Sequence, residues 1–160
     1  MSVWGIRALE CDQGLDAMDC LSANYLGSKQ HISLEEMAML LSEHGLLCSK
    51  EQNNAHSQGS DISALVLAEL LYEWHNYGYP QYDCECESTI WQSIKVFSAS
   101  PLALEALLAH IKDIYHDVQL QNEERSLVKL WFHSAYWHAW VEHLESLMDN
   151  LIELLHEAHP

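Results

Sequence analysis

A stripe of apolar side chains near the end of the chain constrains the fold more than any other feature. Between positions 137 and 155, these side chains recur every three or four residues. The spacing places them on one side of an α-helix and is typical of a core helix in a bundle. A homodimer through this helix is the alternative, although about three heptads are short for a coiled coil. The stripe consists of Trp137, Val141, Leu144, Met148, Leu151 and Leu155, widened by Trp140, Leu147 and Leu154.

Helix boundaries are marked earlier in the chain. Asp12 is placed to cap one helix start, and Ser33 with Glu36 forms the capping-box pattern of another. Gly45 is a natural end for the second of these helices, because glycine readily adopts the left-handed conformation found after a helix. Further helices are expected from about Asp61 to His75, from Thr89 to Phe97, after Ser100-Pro101, and from Asn122 or Ser126.

Two segments between these helices lack helical periodicity. A polar loop is expected near residues 45–60, and an aromatic-rich loop near 77–88 surrounds Pro80, which interrupts a helix. No alternation of apolar and polar residues predicts a strand. The sequence therefore predicts an all-α fold, a compact single-domain bundle of six or seven helices over residues 1–160.

Charge distinguishes between the classes of partner. The chain has 7 Lys and Arg against 24 Asp and Glu, a formal net charge of −17. Such a field repels nucleic-acid phosphates and anionic membranes and attracts cationic partners. We therefore expect a basic protein as partner and no direct contact with nucleic acid or a membrane. The alternative is that the acidity serves solubility alone.

The cysteines and the opening of the chain predict a location. The 5 cysteines are an odd number, which suits free thiols in a reducing compartment better than a disulfide framework. No segment resembling a signal peptide opens the chain, and the most apolar stretch, residues 62–71, is too short to span a membrane. We expect a cytoplasmic protein.

The sequence carries no strong catalytic signature. It lacks a phosphate-binding glycine loop, a nucleophile elbow and a zinc-protease helix, so neither an enzymatic activity nor a cofactor is predicted. The 11 histidines leave one alternative, a metal-dependent enzyme with a His/carboxylate site in the helical bundle. An acidic residue three positions before a histidine shares its helix face, and this spacing occurs in Asp113–His116 and in Glu153–His156. The same histidines also suggest a response to pH.

Short motifs at both ends of the chain follow a recognisable pattern. Trp4-Gly5, Leu9-Glu10-Cys11-Asp12 and Leu15-Asp16 come first, and Ser126–Trp131 and Ala139–Val141 come last. With the helix at Ala64–Leu71, they resemble the uncharacterised bacterial domain-of-unknown-function family 4259. Leu9 and Cys11 stand where that family carries an aromatic residue and an asparagine. The resemblance implies a helical fold and a bacterial origin, and it implies no activity.

The candidate binding residues come from that pattern and from the aromatic-rich loop. Tyrosine and tryptophan are favoured anchors at protein interfaces. Trp4 and Asp12 also have a structural explanation: the indole ring would pack in the core, and the carboxylate would cap a helix. We expect a non-enzymatic binding or regulatory protein, for example one that neutralises a basic toxin. The candidates are Trp4, Glu10, Asp12, Asp16, Tyr77, Tyr79 and Tyr82.

Overall fold

The computed structural model describes residues 5–27, 29–48, 58–78, 93–121 and 124–158. A 3-10 turn over Ala8–Glu10 precedes the first α-helix, and a π-helical turn over Ser22–Leu26 follows it. The predicted all-α fold is confirmed, with six α-helices in these ranges. The elements are α1 (Asp12–Leu21), β1 (His31–Ser33), α2 (Leu34–Glu43), α3 (Gln58–Tyr77), β2 (Val96–Ser98), α4 (Pro101–Leu120), α5 (Ser126–Phe132) and α6 (Trp137–Ala158).

The central element is α3. Every residue from Ser60 to Leu71 is buried, and the helix contacts each of the other five α-helices. A helix whose residues are buried on every side needs such cover. The predicted helix from Asp61 to His75 is therefore confirmed, with three more residues at its start and two at its end.

The C-terminal stripe covers the core of the same chain. Trp140, Leu144, Leu147 and Leu151 of α6 are buried, and α6 packs mainly against α4. The indole ring of Trp140 also stacks on that of Trp131 in α5, with ring centroids 5.6 Å apart. These contacts confirm α6 as a core helix. Among the described residues, no helix combines the length and apolarity needed to cross a membrane.

Two short parallel strands correct the prediction that the chain has none. In the pairing of β1 with β2, His31 lies opposite Val96 and Ser33 opposite Ser98. The predicted helix over 89–97 is wrong at its end, where Val96 is in β2, and residues 89–92 lie outside the described ranges. A strand of three residues is too short for alternation to appear, and its partner lies far away in sequence.

The start of α1 corrects the predicted cap. Cys11, and not Asp12, is the N-cap residue, and its sulfur accepts the N–H of Gly14 at 3.4 Å. Burial raises the pKa of the Cys11 thiol, which stays protonated and donates to the carbonyl oxygen of Ala8 at 3.1 Å. Gly14 is required here, because an added Cβ would lie 1.8 Å from that oxygen. Asp12 is the exposed first residue of the helix.

The predicted boundaries of α2 are confirmed, with one addition. The Ser33 hydroxyl accepts the N–H of Glu36 at 3.3 Å, which is half of a capping box. The other half passes through Tyr25, whose hydroxyl accepts the Ser33 N–H at 3.1 Å and donates to the Glu36 carboxylate. Gly45, with a φ of 73°, follows the end of the helix.

The two predicted loops lie largely outside the described residues. Residues 49–57 of the polar loop lie outside the described ranges, and so do residues 79–92, which include most of the aromatic-rich loop. Tyr77 is the last residue of α3, and Gly78 follows it with a φ of 79°. The α5 helix begins at Ser126, one of the two predicted starts, and Asn122 lies outside the described ranges.

Candidate functional site

A cavity of about 880 Å³ lies between α2 and α4; we call it the α2–α4 groove. The wall formed by α4 carries alanine at every third position, namely Ala103, Ala106 and Ala109. Residues with this spacing lie near one another on a helix, and their methyl groups leave the space open. The opposite wall includes Met39 of α2, which is 58% exposed. This half of the groove is apolar.

Contacts at one end fix the two walls relative to each other. Ser100 caps α4, its hydroxyl accepting the N–H of Ala103 at 3.2 Å, and Pro101 occupies the first turn as predicted. The Ser100 N–H also donates to the carboxylate of Glu35 in α2 at 2.5 Å. Parallel strands end at the same edge of a sheet. Because α2 follows β1 and α4 follows β2, the two helices begin side by side.

The other end of the groove is polar. Asp113, His116 and Asp117 of α4 line it, and so does Glu124, which lies two residues before α5. Asp113 is half-buried, whereas His116 and Glu124 are exposed. Two of these residues, Asp113 and His116, were identified from their helical spacing. Here their neighbours are the apolar groove and a cluster of buried charges.

A buried ion pair underlies this polar end. Asp61 of α3 is fully buried, and Arg125 is 5% exposed. One carboxylate oxygen of Asp61 accepts both Nη1 of Arg125 at 2.5 Å and Nε2 of His110 at 3.0 Å. Its other oxygen has no hydrogen-bond partner among the described residues. Since the guanidinium is held by this buried carboxylate, it offers little positive charge to the groove.

A second carboxylate positions the arginine. Asp117 is 6% exposed, and its two oxygens accept the backbone N–H groups of Glu124 at 3.2 Å and of Arg125 at 3.1 Å. This arrangement joins the end of α4 to the start of α5. Arg125 was not predicted from the sequence, although an arginine among only 7 basic residues was a usable signal.

A smaller cavity of about 410 Å³ brings together two of the predicted binding residues, Glu10 and Tyr77. Arg7 pairs there with the Glu73 carboxylate, and its backbone N–H donates to Glu10 at 3.1 Å. Burial opposes the charge of Arg7, but the carboxylates of Glu73 and Glu10 outweigh it and raise the pKa. The charged side chains of this cavity are therefore paired with one another.

Glu69 anchors the N-terminal segment beside the same cavity. It is 1% exposed and accepts the backbone N–H groups of Ala8 at 2.7 Å and Leu9 at 3.1 Å. Nε2 of His143, in α6, lies 3.2 Å from the same carboxylate. A buried carboxylate with several donors is well satisfied, so this cavity is best explained as the place where the N-terminal segment joins α3 and α6.

Of the remaining candidate binding residues, Asp12 and Asp16 are the two that lie in the described ranges. Asp12 and Asp16 are exposed on α1 and line neither cavity. Trp4, Tyr79 and Tyr82 lie outside the described residues.

The metal site considered from the sequence is not assembled. Within the described ranges, the group of possible ligands whose atoms lie within 4.8 Å of one another is His75, Glu153 and Glu157. It includes Glu153 but none of Asp113, His116 and His156. The reason is that Asp113 and His116 face the α2–α4 groove, whereas Glu153 meets the end of α3. Helical spacing places two residues on one face without fixing what that face contacts.

Comparison of the chain with protein-family models, with curated proteins and with solved structures finds no match.

Proposed function

We propose that this protein is a non-enzymatic binding protein whose α2–α4 groove takes a segment of a basic protein partner. The observation that carries the proposal is a cavity of about 880 Å³ whose lining changes from apolar to acidic along its length. A segment with one apolar anchor followed by lysine or arginine would match both halves.

The apolar half suits a single large side chain. A drug-sized pocket typically measures about 300–1,000 Å³ and is lined mainly by apolar groups. The three alanines of α4 provide the depth, and Met39 provides an adaptable rim, because an unbranched thioether can fit differently shaped partners. Burying such an anchor would supply most of the affinity, as interface hot spots do.

The acidic half suits a cation. Asp113, Asp117 and Glu124 line it, and the Arg125 guanidinium is held by buried Asp61. The formal charge of −17 on the whole chain adds a long-range attraction for a basic partner. Such attraction mainly raises the association rate and weakens with salt.

Several finer expectations from the sequence belong to the same proposal. Neutralisation of a basic toxin is one role that such a groove would serve, and a cytoplasmic location and a bacterial origin are compatible with it. The resemblance to family 4259 stays a prediction. Whether the chain is a monomer or a homodimer through α6 also stays a prediction.

Groove variants test the proposal in a capture experiment. The immobilised protein is exposed to lysate of its native host at low and at high salt, and bound proteins are identified by mass spectrometry. Ala106→Trp fills the apolar half, and Asp113→Asn removes one charge from the acidic half. Ala139→Trp and Asp16→Asn are matched controls, since both residues are exposed and neither lines the groove.

We expect one basic protein that is released by salt, bound by both controls, and lost from Ala106→Trp. Asp113→Asn should retain less of it at intermediate salt. Equal retention by Ala106→Trp and the wild type would exclude the groove as the binding site. Loss with Asp16→Asn instead would point to α1, as the sequence pattern suggested.

A further inference from the structure

Three possible metal ligands meet where α3 and α6 end. His75 lies in the last turn of α3, and Glu153 and Glu157 are one turn apart near the end of α6. Their ligand atoms all lie within 4.8 Å of one another. Nε2 of His75 is 3.4 Å from a carboxylate oxygen of Glu157. Two ligands of a tetrahedral zinc ion, each bonded at about 2.0–2.1 Å, are separated by about this distance.

Asn150 orients the imidazole for this role. Nδ1 of His75 lies 2.8 Å from Oδ1 of Asn150, and an amide oxygen only accepts, so Nδ1 carries the hydrogen. Nε2 is thereby turned towards the two glutamates. Metal-bound histidines characteristically donate their other N–H to such an acceptor. Because Asn150 is 5% exposed, the core holds this orientation.

The electrostatic surroundings favour a cation at this point. Both helices present their C-terminal ends, which carry partial negative charge. Residues 70–78 contain no Lys or Arg, and neither does α6. The acidic residues of α6 are Glu142, Glu145, Asp149, Glu153 and Glu157.

We propose that His75, Glu153 and Glu157 form a divalent-cation site that cross-links the ends of α3 and α6. One imidazole with two carboxylates suits zinc or a similar transition metal better than magnesium or calcium, which prefer oxygen ligands alone. Solvent would complete a tetrahedral ion. The site is separate from the α2–α4 groove, and its role is to stabilise the packing of the two helices.

The test uses the full chain, ZnCl2 and a control for thiols. Accessible cysteines are blocked first under native conditions, because thiolates bind zinc tightly. Zinc binding is then measured by calorimetry, and the melting temperature is followed with increasing zinc. We expect one zinc per chain and a melting temperature that rises with zinc concentration, since a ligand of the folded state stabilises it.

Variants assign the ligands. His75→Gln and Glu157→Gln should each weaken zinc binding at least about tenfold, and Asn150→Ala about tenfold or more through the lost orientation of the imidazole. Glu157 is exposed, so its variant reports on the site even if a change at His75 disturbs folding. His156→Gln is the matched control on α6, and it should bind within about twofold of the wild type.

The outcomes separate the assignments. Binding by His75→Gln equal to that of the wild type would overturn the proposal. So would loss of binding in His156→Gln with retention in His75→Gln, which would favour the pair found from sequence spacing. Absence of any zinc effect in the thiol-blocked chain would also overturn it.

Discussion

Removal of the Arg125 guanidinium is the sharpest test of the buried charge cluster beneath the groove. Arg125→Met keeps an unbranched side chain comparable to the arginine stem and removes the guanidinium with its charge. Asp61 would then stay fully buried with only His110 as a donor among its observed partners. Breaking a buried ion pair by removing one partner costs about 3–5 kcal/mol. The change should therefore be among the most destabilising in the chain.

The expected loss of unfolding free energy is large enough to measure by urea unfolding. Urea unfolding slopes for small proteins are about 1–3 kcal/mol/M, so a loss of about 4 kcal/mol lowers the urea midpoint by roughly 2 M at a slope of about 2 kcal/mol/M. Circular dichroism and tryptophan fluorescence should give the same midpoint and an unchanged slope. Lys112→Met, on the exposed side of α4, is the control and should change the unfolding free energy by no more than about 0.5 kcal/mol.

A double variant identifies the cause. If the cost comes from an unpaired buried carboxylate, Asp61→Asn combined with Arg125→Met should recover at least about 1 kcal/mol relative to Arg125→Met alone. The reasoning would be refuted if Arg125→Met were no worse than Lys112→Met. It would also be refuted if the loss of unfolding free energy in the double variant equalled the sum of the losses in the two single variants.

Three further predictions concern stability, each measured by urea unfolding. Glu69→Gln should lose about 1–3 kcal/mol, because an amide NH2 would face backbone N–H donors. Gly14→Ala should lose about 1–3 kcal/mol or more, because the new Cβ would lie 1.8 Å from a backbone carbonyl oxygen. Its control Gly59→Ala, with nothing within 4 Å, should gain about 0.5 kcal/mol. The third is the pH dependence from Glu35. Burial opposes its charge, but the hydrogen bond from Ser100 outweighs this and lowers the pKa. The stabilisation by Glu35 is therefore complete above its unfolded pKa of about 4.3 and is lost as the pH falls through the folded pKa, so the advantage of the wild type over Glu35→Gln should shrink on acidification.

Each of these has a contrary result. A Glu69→Gln protein as stable as the wild type would mean that the N-terminal turn is held in another way. Equal effects of the two glycine substitutions would contradict the close approach at Gly14. A wild-type advantage over Glu35→Gln that is constant from about pH 6 to below pH 3 would remove Glu35 as a source of acid sensitivity.

Local signals in the sequence predicted local structure well. The α6 stripe, the Ser100-Pro101 start and the Gly45 end each depend on residues within one or two helical turns. The β1–β2 pairing was missed because it joins positions as distant as His31 and Val96.

The candidate site shows the same division. Asp113 and His116 were found because they share a helix face, but their neighbours across the groove were not predictable from that spacing. The pairing of Asp61 with Arg125 spans 64 positions, and Asp61 alone looked like an ordinary residue of a helix start. Periodicity identifies which side of a helix is buried, whereas tertiary packing decides which two sides meet.

The contact between Glu35 and Ser100, together with the β1–β2 pairing, has a mechanical consequence. It joins α2 and α4 at the ends where both helices begin. The ten residues of α2 make an arm about 15 Å long, so a rotation of about 10° about the joined end would move its far end by about 3 Å. The alanines of α4 begin at Ala103, within one turn of the joined end, whereas Asp113 and Asp117 lie about 20–25 Å along α4 from Ser100 and therefore beyond the length of α2. Such a rotation would therefore change the width of the groove along α2 and not at Asp113 and Asp117.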